Sequence, residues 1–600
     1  MKYKNIPDMF FQTVRYHSSE KPAFLYKSDG KYNELTYGEL QDRVEKLALG
    51  LLELGFHKGD RIGLISENRI EWIIVSFAIN LIGAIDVPLF PILSAKQEED
   101  IFTDCGVSAV IVSNQFQLSK ILQFKENIAS LRHVIVMNDD YDSNELYVKS
   151  LKELEERGGK IKNDEARHEH LLQKAAAIQS EDLLTLIYTS GTTGTPKGVM
   201  LTHKNILSNI EAVLESIGDL SQDIQLSYLP LCHTYERTGG FLALFSCGAL
   251  IALAESVETV ATNIQEIKPT MMTTVPKLLE TVKKKIFLSM EKESGSKRFI
   301  FKKAIDIGYR KVLTDQEGKI NPMLNLKYKI VDRLVFSKIR AKLGGRMNKF
   351  ISGGAPISED VEIFFNACGI RVVQGYGLTE ASPIVANNTV KDNEIGTVGK
   401  PLDNLELRIA EDGEILVRGP SIMKGYWNDP VGTSLAVDEE GWLYTGDIGE
   451  FTMKGNLKIT DRKKDIFVSS GGKNIAPQAI ENLLSRSRFI DHCVLIGDNR
   501  EFISALITPN FDQLKDLAVE FGVEYNNLTE LIANEKIIAH IKKDIDFYQS
   551  DLSKYERVRK FQLLSEAFSV DSGELSPKMS IKRHVVESKY SYLIEMMYEK

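Results

Sequence analysis

Over the first 110 residues, short apolar runs alternate with helical stretches, and that alternation confines the chain to a mostly parallel sheet covered by helices. Leu40, Val44, Leu47, Leu51 and Leu52 fall near helical spacing, and Gly55 suits the helix stop. An apolar strand over Arg61–Ser66, a helix over about 69–82 and a strand over Ala84–Pro88 come next, followed by another helix and a strand at 108–113. The expected fold class is therefore α/β. With 600 residues there is room for several structural units.

Composition narrows the function classes. Hydrophobic residues make up 43% and charged residues 26%, which excludes disordered, collagen-like and coiled-coil chains. The net charge of −9 argues against a globally basic nucleic-acid binder. Five scattered cysteines contain no C-x-x-C pair, so they read as reduced thiols in or near the core of a cytoplasmic protein. The N-terminal text lacks the apolar region of a secretory signal. The apolar stretches 72–85 and 239–254 are respectively too short and too broken by glycine and serine to span a bilayer, and read as buried helix or strand.

The balance of charge is uneven. Residues 274–350 hold 20 Lys+Arg against 7 Asp+Glu. This basic segment reads as helical, and two readings of it stand side by side. It is a solvated helical insertion, or a surface that contacts an anionic membrane peripherally. From about 395 to 463 the text turns to short strands and turns, a small β unit. From about 465 a strand, a helix over Pro477–Arg486, a strand pair within 493–508 and a helical tract read as a separate small α+β domain.

The most informative text runs from Tyr188 to Gly198: after an apolar strand come Thr189, Ser190, Gly191, Thr192, Thr193 and Gly194, then Thr-Pro-Lys197-Gly. Backbone N–H groups and hydroxyls without bulky neighbours can wrap an anion, and Lys197 adds positive charge. It is not a Walker A loop, because Pro196 and Gly198 stand where glycine and Ser/Thr belong. A second apolar run follows at once, so the loop is expected to join two strands. In Gln374-Gly375-Tyr376-Gly377-Leu378-Thr379-Glu380, glycines flank a tyrosine ring that could lie on a planar ligand, and Glu380 offers a hard oxygen to Mg²⁺. Asp447, in a Gly-Asp turn, could accept hydrogen bonds from a ribose diol. Arg462, in a D-R-K-K run, could assist the ribose or phosphate. His233 precedes a long apolar tract with two glycines, a context that fits a gate beside an apolar pocket.

These blocks, in this order, resemble the adenylate-forming (AMP-binding) superfamily. Ser352-Gly353-Gly354-Ala355-Pro356 resembles its adenine-pocket strand end, and the Asp447 and Asp461-Arg462-Lys463-Lys464 texts resemble its ribose-binding and hinge motifs. The P-L-x-H-x-x-E-R pattern around His233 and the long basic segment resemble the long-chain fatty acyl-CoA synthetase branch, in which 239–250 would help line an acyl channel. The resemblance implies a composite N-terminal domain, 1–463, made of two βα sheet subdomains and a small β-barrel-like unit. It also implies a mobile C-terminal lid, 464–600, turning at Lys464. It implies ATP, Mg²⁺ and coenzyme A, with Gly471, Gly472 and Lys473 near the CoA arm.

The tail departs from that pattern. Gly573-Glu-Leu-Ser-Pro-Lys578-Met-Ser580-Ile-Lys582-Arg carries Ser580 where the family has its catalytic lysine. In an extended segment residues 578, 580 and 582 point to one face, which makes Lys578, and after it Lys582, the replacements. The expected activity is conversion of a long-chain fatty acid to acyl-adenylate and then acyl-CoA. The alternatives are a fatty acyl-AMP ligase, a medium-chain or aryl CoA ligase, and a nucleotide- or acyl-binding regulator without turnover.

Overall fold

The computed structural model describes residues 2–190, 196–463, 467–468, 474–498, 500–570, 572–576 and 581–599. The chain divides into two compact units. One comprises Met1–Arg408, Leu416–Thr445 and Phe451–Lys458; the other comprises Ile409–Ile415, Gly446–Glu450 and Ile459–Lys600.

The first unit is built on two large sheets. The nine-stranded sheet runs, edge to edge, through Lys400–Pro401, Ile384–Asn387, Arg371–Gly377, Lys349–Ser352, Met271–Thr274, Ile224–Ser227, Leu250–Leu253, Pro22–Ser28 and Lys31–Thr36. Pairing is parallel from Arg371–Gly377 to Pro22–Ser28 and antiparallel at both edges. The eight-stranded sheet runs through Gly425–Tyr426, Pro196–Thr202, Leu183–Ser190, Ile85–Leu89, Arg61–Ile65, Ala109–Val112, His133–Val136 and Val148–Ser150. Its core strands are short and wholly buried, as parallel strands covered on both faces must be. The helix Ile70–Leu81 is apolar on nearly every side and buried along its length, so the 72–85 stretch is core. Four cysteines are buried, the fifth is half-buried, and none of the five is in a disulfide.

One turn reaches into both sheets. A π-helical stretch, Glu236–Leu242, follows the Ile224–Ser227 strand by a short loop. Glu236 turns into the nine-stranded sheet, accepting from the hydroxyls of Ser227 (2.5 Å) and Thr273 (2.6 Å) on neighbouring strands. Arg237 turns into the eight-stranded sheet, donating to Asp86 (2.8 Å) and Thr185 (2.9 Å), which are direct cross-strand partners, and to Ser76 (3.3 Å). Glu236, Arg237 and Asp86 are all at most 1% exposed. Beyond this turn Phe241 and Phe245 join Phe10, Phe24, Tyr37 and Phe77 in an aromatic cluster. The bulky members of the expected channel tract are therefore core.

Two further expectations change. The basic segment 274–350 is the helical crossover between the adjacent parallel strands Met271–Thr274 and Lys349–Ser352, formed by Pro276–Glu291, Gly295–Gln316, Pro322–Val331 and Ser337–Lys342. Phe301, Ala304, Val312, Phe336 and Ile339 carry it into the core, so it is not a purely solvated insertion. The 395–463 text does not make one β unit. Lys400–Pro401 and Gly425–Tyr426 extend the two large sheets. The strands Glu406–Ile409, Glu414–Arg418, Leu443–Phe451 and Leu457–Arg462 form a separate four-stranded sheet.

In the second unit, strands Ile490–Ile496, Ile503–Pro509 and Val558–Leu563 form a sheet packed by the helices Pro477–Leu484, Phe511–Phe521 and Glu535–Tyr548 around Leu495, Ile507, Leu514 and Ile541. Among the described residues no helix is long and apolar enough to cross a membrane.

Two outcomes follow from the tie between the sheets. Arg237→Leu strands the buried Asp86 carboxylate and is expected to cost about 3–5 kcal/mol in urea unfolding. The second concerns pH. Burial drives the Glu236 carboxyl up to about 7, against about 4.3 in an unfolded chain. The folded state then holds a proton that the unfolded state has released, so this group's contribution is complete below about pH 4 and declines as pH rises to about 7. Glu236→Gln cannot ionise, so its melting temperature should gain on that of the parent across this range. A gap that stays constant with pH would count against the buried proton.

Candidate active site

The parallel strands Arg371–Gly377, Lys349–Ser352, Met271–Thr274 and Ile224–Ser227 are neighbours, and their C-terminal ends emerge side by side. Open α/β sheets bind ligands at such ends. Gly353 follows one of them, with its N–H donating to the Thr274 carbonyl (3.1 Å). A Cβ on Gly353 would lie 3.1 Å from the Tyr235 ring, whose hydroxyl donates to Ile351 (2.7 Å). Gly354 has φ +80°, a backbone that favours glycine, and Gly354 and Ala355 are exposed.

The next strand end carries Gly375, Tyr376 and Gly377. Tyr376 is half-buried. A Cβ on Gly377 would meet the Pro383 carbonyl at 1.9 Å, so this glycine is required by the close approach of the backbone. Gln374 departs from expectation. Its buried amide donates to Glu362 (2.8 Å), whose carboxyl burial pushes up to about 7, so the side chain braces the strand from within. Its backbone carbonyl accepts from the Asn388 N–H (2.8 Å).

Thr379 and Glu380 lie on the turn Thr379–Ala381. Thr379 is buried and accepts from the hydroxyl of Thr234 (3.3 Å), which links this turn to the one bearing His233. His233 is half-buried, and its Nδ1 accepts from the Tyr235 N–H (3.2 Å), so the neutral ring carries its proton on Nε2.

Strands Leu183–Ser190 and Pro196–Thr202 are antiparallel partners, with Thr189 opposite Lys197 and Ser190 opposite Pro196. The loop thus joins two strands, as its flanking apolar runs predict. Gly191, Thr192, Thr193 and Gly194 lie outside the described residues. The two-residue strand Gly425–Tyr426 pairs beside Val199 and Met200. It brings in Tyr426, which sequence reasoning missed. The Tyr426 hydroxyl donates to Glu380 Oε1 (2.9 Å), and Lys197 Nζ stands 4.9 Å from its ring centroid. Burial and the neighbouring Glu380 raise the phenol well above its usual value, so it remains a donor. Lys197 also pairs with Asp429 (2.8 Å) and holds that carboxyl below its usual range. Tyr426 could have been found only through the G-Y-W text standing in a strand too short to give a periodicity.

In the second unit, Asp447 is buried on the Leu443–Phe451 strand and pairs with the exposed Arg462 on Leu457–Arg462 (3.1 Å). Glu414 accepts from the Gly446 N–H (2.9 Å) and from Lys463 (2.7 Å). Hydrogen bonds from Lys463 to Asp412 and Glu414 push its ammonium up to about 12. Lys464, Gly471, Gly472, Lys473 and Lys578 lie outside the described residues. Lys582 precedes the helix Arg583–Lys589, and its N–H donates to Glu574 (2.7 Å). Leu575 bridges to Ile581, joining the chain on either side of 577–580.

Among the described residues no group of three or more His, Cys, Asp or Glu could hold a metal. A lone half-buried Glu380 nevertheless fits Mg²⁺, which takes one or two carboxylates and completes its shell with phosphates and water.

Comparison with known proteins agrees with this architecture. Residues 10–427 match the AMP-binding enzyme family, and residues 464–600 match the AMP-binding enzyme C-terminal domain. The chain is 33% identical over 612 residues to the long-chain-fatty-acid–CoA ligase FadD15 of Mycobacterium bovis, covering 100% of this chain and 98% of the relative. It is 32% identical to the peroxisomal long chain acyl-CoA synthetase 6 of Arabidopsis thaliana, covering 95% and 82%. Its fold is similar to the crystal structure of the anthranilate CoA ligase AuaEII in complex with anthranoyl-AMP, with TM-score 0.75, 19% identity and coverage of 99% and 98%. By strand order, by motif order and by full-length likeness, the chain belongs to the AMP-binding enzyme family, in its long-chain fatty acid–CoA ligase branch.

Proposed function

We propose that the chain is a long-chain fatty acid–CoA ligase that works through an acyl-adenylate. The observation that carries this reading is the meeting of Lys197, Tyr426 and Glu380 beside the ends of adjacent parallel strands. Those three groups come from three separate stretches of the sequence and suit a polyphosphate. The fatty carboxylate attacks the α-phosphorus of ATP, and pyrophosphate leaves with the bonding pair. The CoA thiol, losing its proton, then attacks the acyl carbon and AMP leaves.

The protein's work in such steps is positioning and charge balance. Lys197 and the Thr189–Gly194 loop hold the phosphates. Gly353, Gly354, Ala355 and Tyr376 flank the adenine, Thr379 and Gln374 brace that wall, and Asp447 with Arg462 takes the ribose. Glu380 holds Mg²⁺, which when bound offsets phosphate charge. Tyr426 fixes the Glu380 carboxylate through its hydroxyl. His233, linked to the Glu380 turn through Thr234 and Thr379, gates the acyl side. The C-terminal domain, 464–600, turns at Lys464 between the steps, bringing Lys578 or Lys582 for adenylation, and Gly471, Gly472 and Lys473 for the CoA arm. A cytoplasmic location with peripheral contact between segment 274–350 and an anionic membrane belongs to the same reading.

Incubation with ATP, Mg²⁺, palmitate and CoA is expected to yield palmitoyl-CoA, AMP and pyrophosphate. Adenylate without thioester would point instead to an acyl-AMP ligase, and binding without either product to a regulator. Lys578→Ala is expected to depress ATP–pyrophosphate exchange by roughly a hundredfold or more. If exchange persists in Lys578→Ala and falls in Lys582→Ala, the role passes to Lys582. Glu380→Gln should lower the adenylation rate by roughly 100- to 1,000-fold. Tyr426→Phe should lower it by roughly 10- to 100-fold, because it removes a hydrogen bond to a charged group. A Tyr426→Phe enzyme with unaltered kinetics and unaltered Mg²⁺ dependence would refute the positioning of Glu380.

A further inference from the structure

The crossover between the Met271–Thr274 and Lys349–Ser352 strands contains a helix that is apolar on two sides, and the body of the protein covers only one. Along Pro322–Val331 and the π-helical turn Asp332–Phe336 that continues it, Tyr328, Val331 and Val335 face the core. The Tyr328 ring lies 5.8 Å from that of Phe336, and its hydroxyl donates to Ala367 (3.0 Å). About a third of a turn away, Met323, Leu326, Ile330 and Leu334 recur at the same helical spacing and are 53–68% exposed. Ile320, in the turn before the helix, is 86% exposed.

Cations border this stripe on both sides. Lys327 and Lys338 fall along one margin, Lys329 and Arg333 along the other, and all four are exposed. None of the four is paired with a carboxylate among the described residues, whereas the nearby Asp332 and Glu317 are taken by Arg340 (2.6 Å) and Lys319 (2.7 Å).

An apolar stripe rimmed by polar groups on an otherwise soluble surface marks an interaction site. A stripe flanked by lysine and arginine has the chemistry of a helix that lies in the plane of a lipid interface, apolar side among the acyl chains and cations among the headgroups. A second copy of this chain fits poorly. Twofold pairing presents the same patch on both partners, and here that would set the flanking cations against each other. The absence of any spanning helix among the described residues is compatible with a contact that stays peripheral.

We infer that this stripe is the surface on which the chain sits against an anionic phospholipid bilayer, with Met323, Leu326, Ile330 and Leu334 entering the boundary between headgroups and acyl chains. The inference rests on the proposed membrane contact of segment 274–350 and gives it a face and a residue set. It also gives a reason for a basic crossover helix to keep large apolar side chains on its outer side: the fatty acid substrate partitions into the same layer.

The test is co-sedimentation of the full chain with vesicles of phosphatidylcholine, with and without phosphatidylglycerol, in the absence of ATP and fatty acid. The parent should bind the anionic vesicles, release with rising salt, and bind the neutral ones much less. Lys327→Gln with Lys329→Gln should weaken binding by roughly 25-fold, about fivefold for each cation. Leu326→Asn with Ile330→Asn should weaken it at low salt as well, where charge alone is least screened. Equal binding to both vesicle types, no binding by the parent, or parent-like binding by both double variants would overturn the inference. So would a parent that is a dimer in sedimentation equilibrium and becomes a monomer in the apolar variant without any vesicle binding. Acyl-CoA formation from detergent-dispersed palmitate, measured on the same preparations, should be unchanged in the variants. A parent that binds vesicles but forms no acyl-CoA would remove the proposed reaction and leave the surface standing. One that forms acyl-CoA but binds no vesicle would remove the surface alone.

Discussion

Two adjacent residues of opposite charge, Glu236 and Arg237, tie the large unit together. They leave one π-helical turn in opposite directions, one to the nine-stranded sheet and the other to the eight-stranded sheet. Neither could be tolerated alone at that depth. An isolated buried charge costs several kcal/mol unless it is paired or neutralised. Arg237 solves the problem by pairing with Asp86 and two hydroxyls, and Glu236 solves it by keeping its proton to near neutrality. The turn is also a few residues from His233, so the element that bonds to both sheets is continuous with the one that bears this histidine.

The site inherits its order from this arrangement. Its groups come from strand ends and from short pieces of backbone that pair with them, and the pieces are cross-linked. Thr234 donates to Thr379, Tyr426 donates to Glu380, and Gly353 lies against the Tyr235 ring. Each link joins residues distant in sequence. A site of this kind needs little covalent chemistry from the protein. It needs donors and charges that are already in place when ATP arrives, and buried hydrogen-bonded partners supply that.

Much of this was legible beforehand. Strand–helix alternation predicted parallel sheets, apolar runs on either side of Tyr188–Gly198 predicted a strand–loop–strand, and the scattered cysteines predicted free thiols. The 239–254 stretch is buried helix and strand, as its broken apolar run predicts, but the partners of single side chains were not legible. Gln374 faces inward to Glu362, and Phe241 and Phe245 pack in an aromatic core, because a side chain's partner lies on another element and leaves no mark in its own segment. Tyr426 escaped notice for a related reason: a two-residue strand carries no periodicity, and its place follows from pairing with a strand more than 200 residues earlier.

The amino-acid text by itself determined the local chemistry: where the chain is extended or helical, which loops can wrap an anion, and which motifs carry carboxylates and lysines. Those depend on spacing along a few residues and on the properties of single side chains. The tertiary structure decided which of these groups meet. It sent Arg237 to Asp86 across 151 positions, split the 395–463 text among three sheets, and left one apolar stripe of a basic crossover uncovered. Burial and pairing are properties of the assembled sheets, and they are settled only when distant strands compete for the same partners.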